Sequence, residues 1–398
     1  MINPSTSLRT RVALVRGRYL NNFEGQNYIF KDSDIELVGI SSLRPIHTNF
    51  AFPVIKLPSF ADVTGVERAV KIISNRTFGD SQVLFGLGKY ATQFDIFHTA
   101  DPHYYYSYQL AKLRSEHKIK RLIVTSWETI PHNNESTLQK RKIKKFVQNN
   151  ADLFLCYTNR AMQCLIEEGI DESKIEVIKL GIDLGKFKIQ NSRPKVDRPL
   201  GEKLKSNSKF KREFNILFAG RLVEEKGILD LYEAFKNVLR QKTNVGRLSL
   251  HIIGDGPLKN KLKMMIGHDK LTDLVRIESK KYGEMPKAYQ EANMFILPSK
   301  STKTWEEQYG MVLIEAMASG LPIIAYDTGA IKEVVGNAGI YINEGDVSGL
   351  AFAIRNLSMD TIFAGKLGTM GRERAKKEFD CRKTAKKIEQ LYKKIMKQ

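Results

Sequence analysis

PSKSTKTWEEQYGMVLIEAMASGLPIIAYDTGAIKEVVG, residues 298–336, follows the apolar run MFILPS (294–299) and ends past a second apolar run, LPIIAY (321–326). The stretch reads as strand, polar loop, helix and strand, with the helix starting near Tyr309 or Gly310. Both strands are short and lack strict alternation. Strands buried on both faces look like this, and a helix between them implies a parallel crossover. Glu307 sits in the loop and Glu315 lies eight residues on, inside the helix. That places both carboxylates near the strand carboxyl edge, where doubly wound sheets bind ligands. The helix start offers backbone N–H groups and a partial positive charge suited to a phosphate. Carboxylates would repel a phosphate, so they are expected to accept hydrogen bonds from neutral hydroxyls of a sugar and a ribose. Ala316, Met317, Ala318 and Ser319, then Gly320 and Pro322, let the helix pack closely on the sheet and stop sharply.

The same alternation extends in both directions. RVALVRG (11–17), IELVGIS (35–41), DIFHTA (95–100), RLIVTSW (121–127) and LFLCYT (153–158) form one strand series. FNILFAG (214–220), LSLHIIGDG (248–256) and VRIES (275–279) begin a second, which leads into the segment above. Each series reads as a doubly wound α/β sheet, and a chain of 398 residues has room for two such domains. The expected division is an amino domain over 1–185, a linker over 186–213, a carboxyl domain over 214–375 and a terminal helix over 376–398. The linker is polar and basic with two prolines; it is either a surface excursion or a basic patch on the acceptor side. In the last helix Ile388, Leu391, Tyr392 and Ile395 follow an i, i+3, i+4, i+7 stripe that needs an apolar surface.

Lys and Arg total 64 against 44 Asp and Glu, a formal charge of +20. Such a surface favours anionic partners: nucleic acid, an anionic membrane, or a phosphate-bearing small molecule. The basic runs KRKIKK (140–145) and AKKIEQLYKKIMK (385–397) contain too few aromatics for nucleic acid and suit a membrane surface or a lipid-phosphate acceptor better. No run of about 18 apolar residues is present. Cys156, Cys164 and Cys381 have neither the number nor the spacing of a zinc or disulfide framework. A reducing cytoplasm is the expected compartment, with peripheral attachment at the inner membrane face. DSD (32–34) precedes a strand instead of following one, which points to a capped turn and not to a metal site.

Three further stretches carry chemistry. FAGRLVEEKGILDLYEAF (218–235) is a strand, a glycine turn and a helix, with Arg221 and Lys226 in the turn. Arg offers a fork to two phosphate oxygens and Lys a mobile point charge, so the two can bracket a diphosphate. IIGDGPLKNKLK (252–263) holds a tight turn with Gly256 and Leu258, and KKYGEMPKAYQEANMFILPS (280–299) leads into the Glu307 loop. Together with the two glutamates ahead of EAMASGLP, these stretches resemble the large retaining family-four glycosyltransferases, the glycosyl transferases group 1. In this chain Gln308-Tyr309-Gly310 stands where that family usually has Gly-aromatic-Gly.

The resemblance spans about 11–183 and 214–395. It implies the GT-B fold: two facing Rossmann-like domains with an interdomain cleft, and a terminal helix packing back toward the amino domain. It also implies retaining transfer of a hexose-type sugar from a UDP or GDP donor, with no metal and no further cofactor. The acceptor would be a hydroxyl of a glycan or a lipid-linked acceptor of the cell envelope. Residues implied to hold the donor are Arg221, Lys226, Gly256, Leu258, Lys281, Tyr282, Glu307, Tyr309, Gly310, Met311, Val312 and Glu315, with Gly25 from the first loop. Catalysis would fall to Glu307, Arg221 and Lys226, with His98 and Asp101 from DIFHTADPHYYYSYQ (95–109), where Ala100 replaces a second His of the family pattern. Tyr104, Tyr105 and Tyr106 pack or line an acceptor cleft, and Glu128 and His132 of SWETIPHNN (126–134) face it. The rival readings are a nucleotide-sugar epimerase, which needs no acceptor, and a nucleic-acid-binding protein.

Overall fold

Apolar strands that alternate with amphipathic helices bury both faces of their sheet, and the computed structural model of the chain contains two such sheets. It describes residues 9–31, 33–187, 213–241 and 247–398. Asp32 of the DSD turn and all but the edges of the 186–213 linker lie outside them. The chain divides into two compact units, Met1–Ile182 with Cys381–Gln398, and Asp183–Asp380.

The first unit holds seven strands: β1 (Thr10–Gly17), β2 (Ile35–Ser42), β3 (Val54–Leu57), β4 (Ile96–Ala100), β5 (Arg121–Ser126), β6 (Leu153–Cys156) and β7 (Ile175–Val177). They pair in parallel in the order β3-β2-β1-β4-β5-β6-β7. The helices are α1 (Asn22–Gly25), α2 (Glu67–Phe78), α3 (Tyr105–Ser115), α4 (Leu138–Asn150) and α5 (Asn159–Glu167). Val15, Phe97, Leu122, Val124 and Phe154 sit in its core, against which Tyr106 and Leu110 of α3 pack.

The second unit holds six strands: β8 (Glu213–Ala219), β9 (Arg247–Ile253), β10 (Val275–Glu278), β11 (Met294–Leu297), β12 (Ile323–Tyr326) and β13 (Gly339–Ile342). All pairs are parallel, in the order β10-β9-β8-β11-β12-β13. Its helices are α6 (Ile228–Arg240), α7 (Lys259–His268), α8 (Met285–Glu291), α9 (Met311–Ala318), α10 (Ile331–Val335), α11 (Val347–Met359) and α12 (Thr361–Glu378). In each sheet the order reverses once, between β1 and β4 and between β8 and β11. A crevice opens at the carboxyl ends of the strands at such a reversal.

The terminal helix α13 (Cys381–Lys397) belongs to the first unit. Its stripe residues Ile388, Leu391, Tyr392 and Ile395 are all buried. Thr384 Oγ1 donates to the Lys179 carbonyl, and Arg121 Nε donates to that of Ile395. A helix ending on one unit and a helix starting on the other explain the break at Phe379–Asp380, where the sequence suggests one continuous helix from Arg372. Among the described residues no helix is long and apolar enough to cross a membrane.

Candidate active site

At the reversal of the second sheet, the loops after β8, β9 and β11 are locked together by their backbones. Leu222 N–H donates to the Asp255 carbonyl at 2.8 Å, and Leu258 N–H donates to that of Leu222 at 3.0 Å. Gly227 has φ +63°, and a Cβ there would lie 1.8 Å from the Pro298 carbonyl oxygen. A Cβ on Gly256, at φ +154°, would come within 2.5 Å of the Leu222 carbonyl oxygen. Only glycine permits either approach. These contacts bring Lys226, after β8, against Glu307, after β11.

Lys226 Nζ lies 2.5 Å from Glu307 Oε2, and Ser299 Oγ donates to the same oxygen at 2.9 Å. The ammonium also sits 4.8 Å from the Trp305 ring centroid. Both charged side chains are largely buried, Lys226 at 13% exposure and Glu307 at 9%. Ala330 N–H donates to the Glu307 carbonyl at 2.8 Å and fixes the backbone of that residue. An ammonium has three donors, and among the described residues Lys226 uses one. Arg221 is 62% exposed, with Glu225 at 3.5 Å as its described partner. The loop therefore presents an exposed fork with one acidic neighbour and a partly engaged point charge.

Helix α9 begins at Met311 after Gly310, which adopts φ +73° and has no side chain with which to cap the first-turn amides. Met311 and Val312 are half-buried there, whereas the Tyr309 side chain is buried, with its ring 6.4 Å from that of Phe379. Tyr309 can meet a ligand through its backbone alone. Glu315 is buried one turn into α9 and accepts a hydrogen bond from Tyr289 Oη at 2.7 Å. Burial pushes its carboxyl up to about 7, against the pull of the Tyr289 and Tyr282 hydroxyls. Glu315 is thus the more enclosed of the two glutamates. Lys281 is exposed and its N–H donates to Glu284, while Gly256 and Leu258 are partly exposed at the edge of the zipped loops.

The remaining expected site residues, Gly25, His98 and Asp101, fall in the first unit. Gly25 ends α1 instead of opening a helix, and its N–H is already donated to the Asn21 carbonyl at 2.9 Å, so the expected phosphate contact has no free amide there. His98 is fully buried: Nδ1 meets Tyr392 Oη at 2.7 Å and Nε2 meets Thr125 Oγ1 at 2.8 Å. Burial, with Arg16 nearby, holds the imidazole well below its ordinary pKa, so it stays neutral. With both nitrogens occupied, His98 ties α13 to the sheet. Asp101, at φ +45°, accepts the Trp127 N–H at 2.9 Å and so holds together the chain after β4 and after β5. Burial raises its carboxyl to about 7, Glu128 adds to the rise, and the Trp127 amide opposes it.

Glu128 and His132 diverge. Glu128 is buried and accepts hydrogen bonds from the amides of Thr129 and Ile130, while the His132 side chain is exposed. His132, Glu135 and Glu168 have the mutual spacing of metal ligands. Lys144 lies 2.5 Å from Glu168 and 3.2 Å from Glu135, and Arg141 lies 3.3 Å from Glu135, so both carboxylates are ion-paired and the group is a salt-bridge cluster. Tyr104 and Tyr106 stack with centroids 5.3 Å apart, and Tyr106 is buried, which divides the tyrosine run into a packing residue and a cavity-lining one.

Known proteins resemble the chain in sequence and in fold. The family described as glycosyl transferases group 1 matches residues 201–376, and glycosyltransferase family 4 matches 60–186. By these two matches the chain is similar to the group 1 glycosyltransferases. The amylovoran biosynthesis glycosyltransferase AmsK of Erwinia amylovora is 31% identical over 264 residues, 64% of this chain and 60% of that protein. The capsular polysaccharide biosynthesis glycosyltransferase CapM of Staphylococcus aureus is 30% identical over 234 residues, 57% of each chain. The matches thus span about 60% of these relatives' length. Among solved structures, Anabaena HepE in complex with UDP superposes with a TM-score of 0.71 at 15% identity, over 97% of this chain and 100% of that one. A glycosyltransferase from Rickettsia africae gives 0.69 at 18% identity, over 98% and 99%. Both share the GT-B fold with this chain.

Within the site of the second unit, sequence reading passes over Ser299, Trp305 and Tyr289. Ser299 closes the apolar run MFILPS, and its position at a strand end was the available signal. Trp305 and Tyr289 act through contacts that depend on the fold and carry no local signature.

Proposed function

We propose that this chain transfers a hexose-type sugar from a nucleoside-diphosphate donor to an acceptor hydroxyl in the synthesis of an envelope polysaccharide, with retention of anomeric configuration and without a catalytic metal. The carrying observation is Lys226, a cation with donors to spare at the switch point of the second sheet, beside Glu307. The names of AmsK and CapM support the acceptor class, and the HepE complexes with UDP and UDP-glucose support a uridine over a guanosine donor.

In this reading residues 214–375 hold the donor. Arg221, Lys226 and the first turn of α9, at Met311 and Val312, receive the diphosphate, and Lys226 exchanges Glu307 for a phosphate oxygen. Glu307 is then freed to accept from a sugar hydroxyl, and Glu315 takes the ribose. Gly256, Leu258, Lys281 and Tyr282 form the nucleoside side. The bond from the anomeric carbon to the phosphate oxygen breaks as the acceptor oxygen bonds to the same face, and the acceptor proton passes to the departing phosphate. Catalysis is positioning plus charge stabilisation of the leaving group.

The acceptor is assigned to residues 1–185, where a cavity of about 420 Å³ is lined by Arg18, Tyr19, Asp80, His103, Tyr104 and Lys140. Tyr104 has Tyr19 at 5.2 Å and His103 at 4.3 Å between ring centroids, an aromatic wall suited to the apolar face of a sugar. Arg18 and Lys140 suit an acidic or phosphorylated substituent. The enzyme would work in the cytoplasm at the inner membrane face. A thermal-shift panel of nucleoside diphosphates, followed by incubation of the stabilising nucleotide's sugars with and without acceptor glycans, tests the reading. Stabilisation by UDP and acceptor-dependent release of UDP are expected. Epimerised donor without acceptor, or no stabilisation by any nucleotide, would overturn it.

A further inference from the structure

Helix α2 turns apolar side chains to solvent. Ile72 and Ile73 are 50% and 65% exposed, whereas the next residue, Ser74, is buried. Val66 at its start is also exposed, and Leu138, the first residue of α4, is 73% exposed. Single exposed aliphatics are ordinary; a contiguous group marks an interaction surface. Contiguity follows from the helix contacts. Gln139 Nε2 donates to the Thr77 carbonyl at 2.6 Å, and Thr77 Oγ1 donates to the Ile73 carbonyl one turn back. The exposed side of α2 therefore continues onto the first turn of α4.

The exposed side of α4 is basic. Arg141, Lys142 and Lys145 are exposed, and residues 138–150 contain no acid. Arg141 lies 3.3 Å from Glu135, while Lys142 and Lys145 have no described ion-pair partner. Apolar side chains flanked by unpaired cations match a layer that is hydrocarbon inside and anionic at its surface. We propose that the α2–α4 face docks on an anionic lipid membrane, with Ile72, Ile73 and Leu138 entering the headgroup boundary and Lys142 and Lys145 meeting lipid phosphates. The terminal helix, equally basic in sequence, does not fit this role, because its apolar stripe is buried against its own unit. Val63, Asn75 and Lys140 of the same region line the 420 Å³ cavity, so an acceptor anchored in the membrane reaches that cavity from the docked side. The surface stands independently of the donor site.

The test is co-sedimentation of the full chain with phosphatidylcholine vesicles, with and without phosphatidylglycerol. Binding is expected only when phosphatidylglycerol is present. Lys142→Ala with Lys145→Ala should lower it about 25-fold, from about fivefold per cation at the surface. Ile72→Ser with Ile73→Ser should lower it about tenfold or more. Both pairs are exposed, so unchanged thermal unfolding should accompany the loss and shows that the variants fold. Equal sedimentation of wild type and variants would overturn the proposal. So would a concentration-dependent dimer, formed without lipid and abolished by the isoleucine substitutions, which would give the face to a second copy.

Discussion

Among the described residues, Arg16 is buried against Glu24 in the first unit and Lys226 against Glu307 in the second, and these two pairs differ in what else surrounds them. In the first unit Arg16, 1% exposed, donates to both oxygens of Glu24, to the carbonyls of Val15 and His98 and to Thr125 Oγ1, while Tyr157 Oη donates to Glu24 as well. Burial alone would lower the Arg16 pKa, but the Glu24 carboxylate together with Tyr28 and Tyr157 outweighs it and keeps the guanidinium charged. Every direction of the fork is used. In the second unit Lys226 has Glu307 and a ring face, with ammonium donors left over. A saturated buried pair holds a fold together; an unsaturated one at a sheet's switch point is poised to take an anion. Residue type alone does not separate the two.

The largest expected effect breaks the saturated pair. Glu24→Ala leaves Arg16 buried without its counter-charge and should destabilise the chain by about 3–5 kcal/mol, read by urea or thermal unfolding. A loss well below 1 kcal/mol would mean that water or another acceptor replaces Glu24. Substitution in the unsaturated pair should do the reverse: Lys226→Ala is expected to leave unfolding nearly unchanged and to lower turnover by about 10²–10³. Glu307→Ala should spare nucleotide binding and depress transfer, whereas Glu315→Ala should weaken nucleotide binding.

Glu315 also sharpens the contrast through pH. Its folded carboxyl titrates near 7 against an ordinary 4.5, so the folded chain keeps a proton that the unfolded chain has released. Stability from this group is present below about pH 4.5 and is lost as pH rises through about 7, by about 3 kcal/mol at most. Urea unfolding across that window should show a steeper fall for wild type than for Glu315→Gln; parallel curves would place the titration elsewhere. The smallest effect is expected at Trp305. Its ring contributes about 0.5–1 kcal/mol to holding Lys226, so Trp305→Ala should change donor KM only a few-fold.

Much of this was legible in the residues. The strands at 11–17, 121–127 and 294–299 read correctly because they are long or strongly apolar and buried on both faces, and β8 and α6 flank Lys226 as their patterns indicate. β3 and β13 escaped notice because edge strands need less burial; Val54–Leu57 lies between prolines and all four residues of Gly339–Ile342 are half-buried. Lys226 and Glu307 are 81 residues apart, and their meeting depends on Gly227 fitting against Pro298, which no local pattern states. His98 carried the opposite lesson. It lies near the carboxyl end of an apolar run, where ligand-binding histidines occur, but in the structure it is the middle residue of β4, and Tyr392, 294 residues away, fills one nitrogen and Thr125 the other.

Isothermal titration of UDP into wild type and Lys226→Ala tests the donor grip most directly. The account predicts that UDP binds the wild type and that the variant, with unchanged thermal unfolding, binds at least about tenfold more weakly. Equal UDP affinity in the two proteins would contradict it.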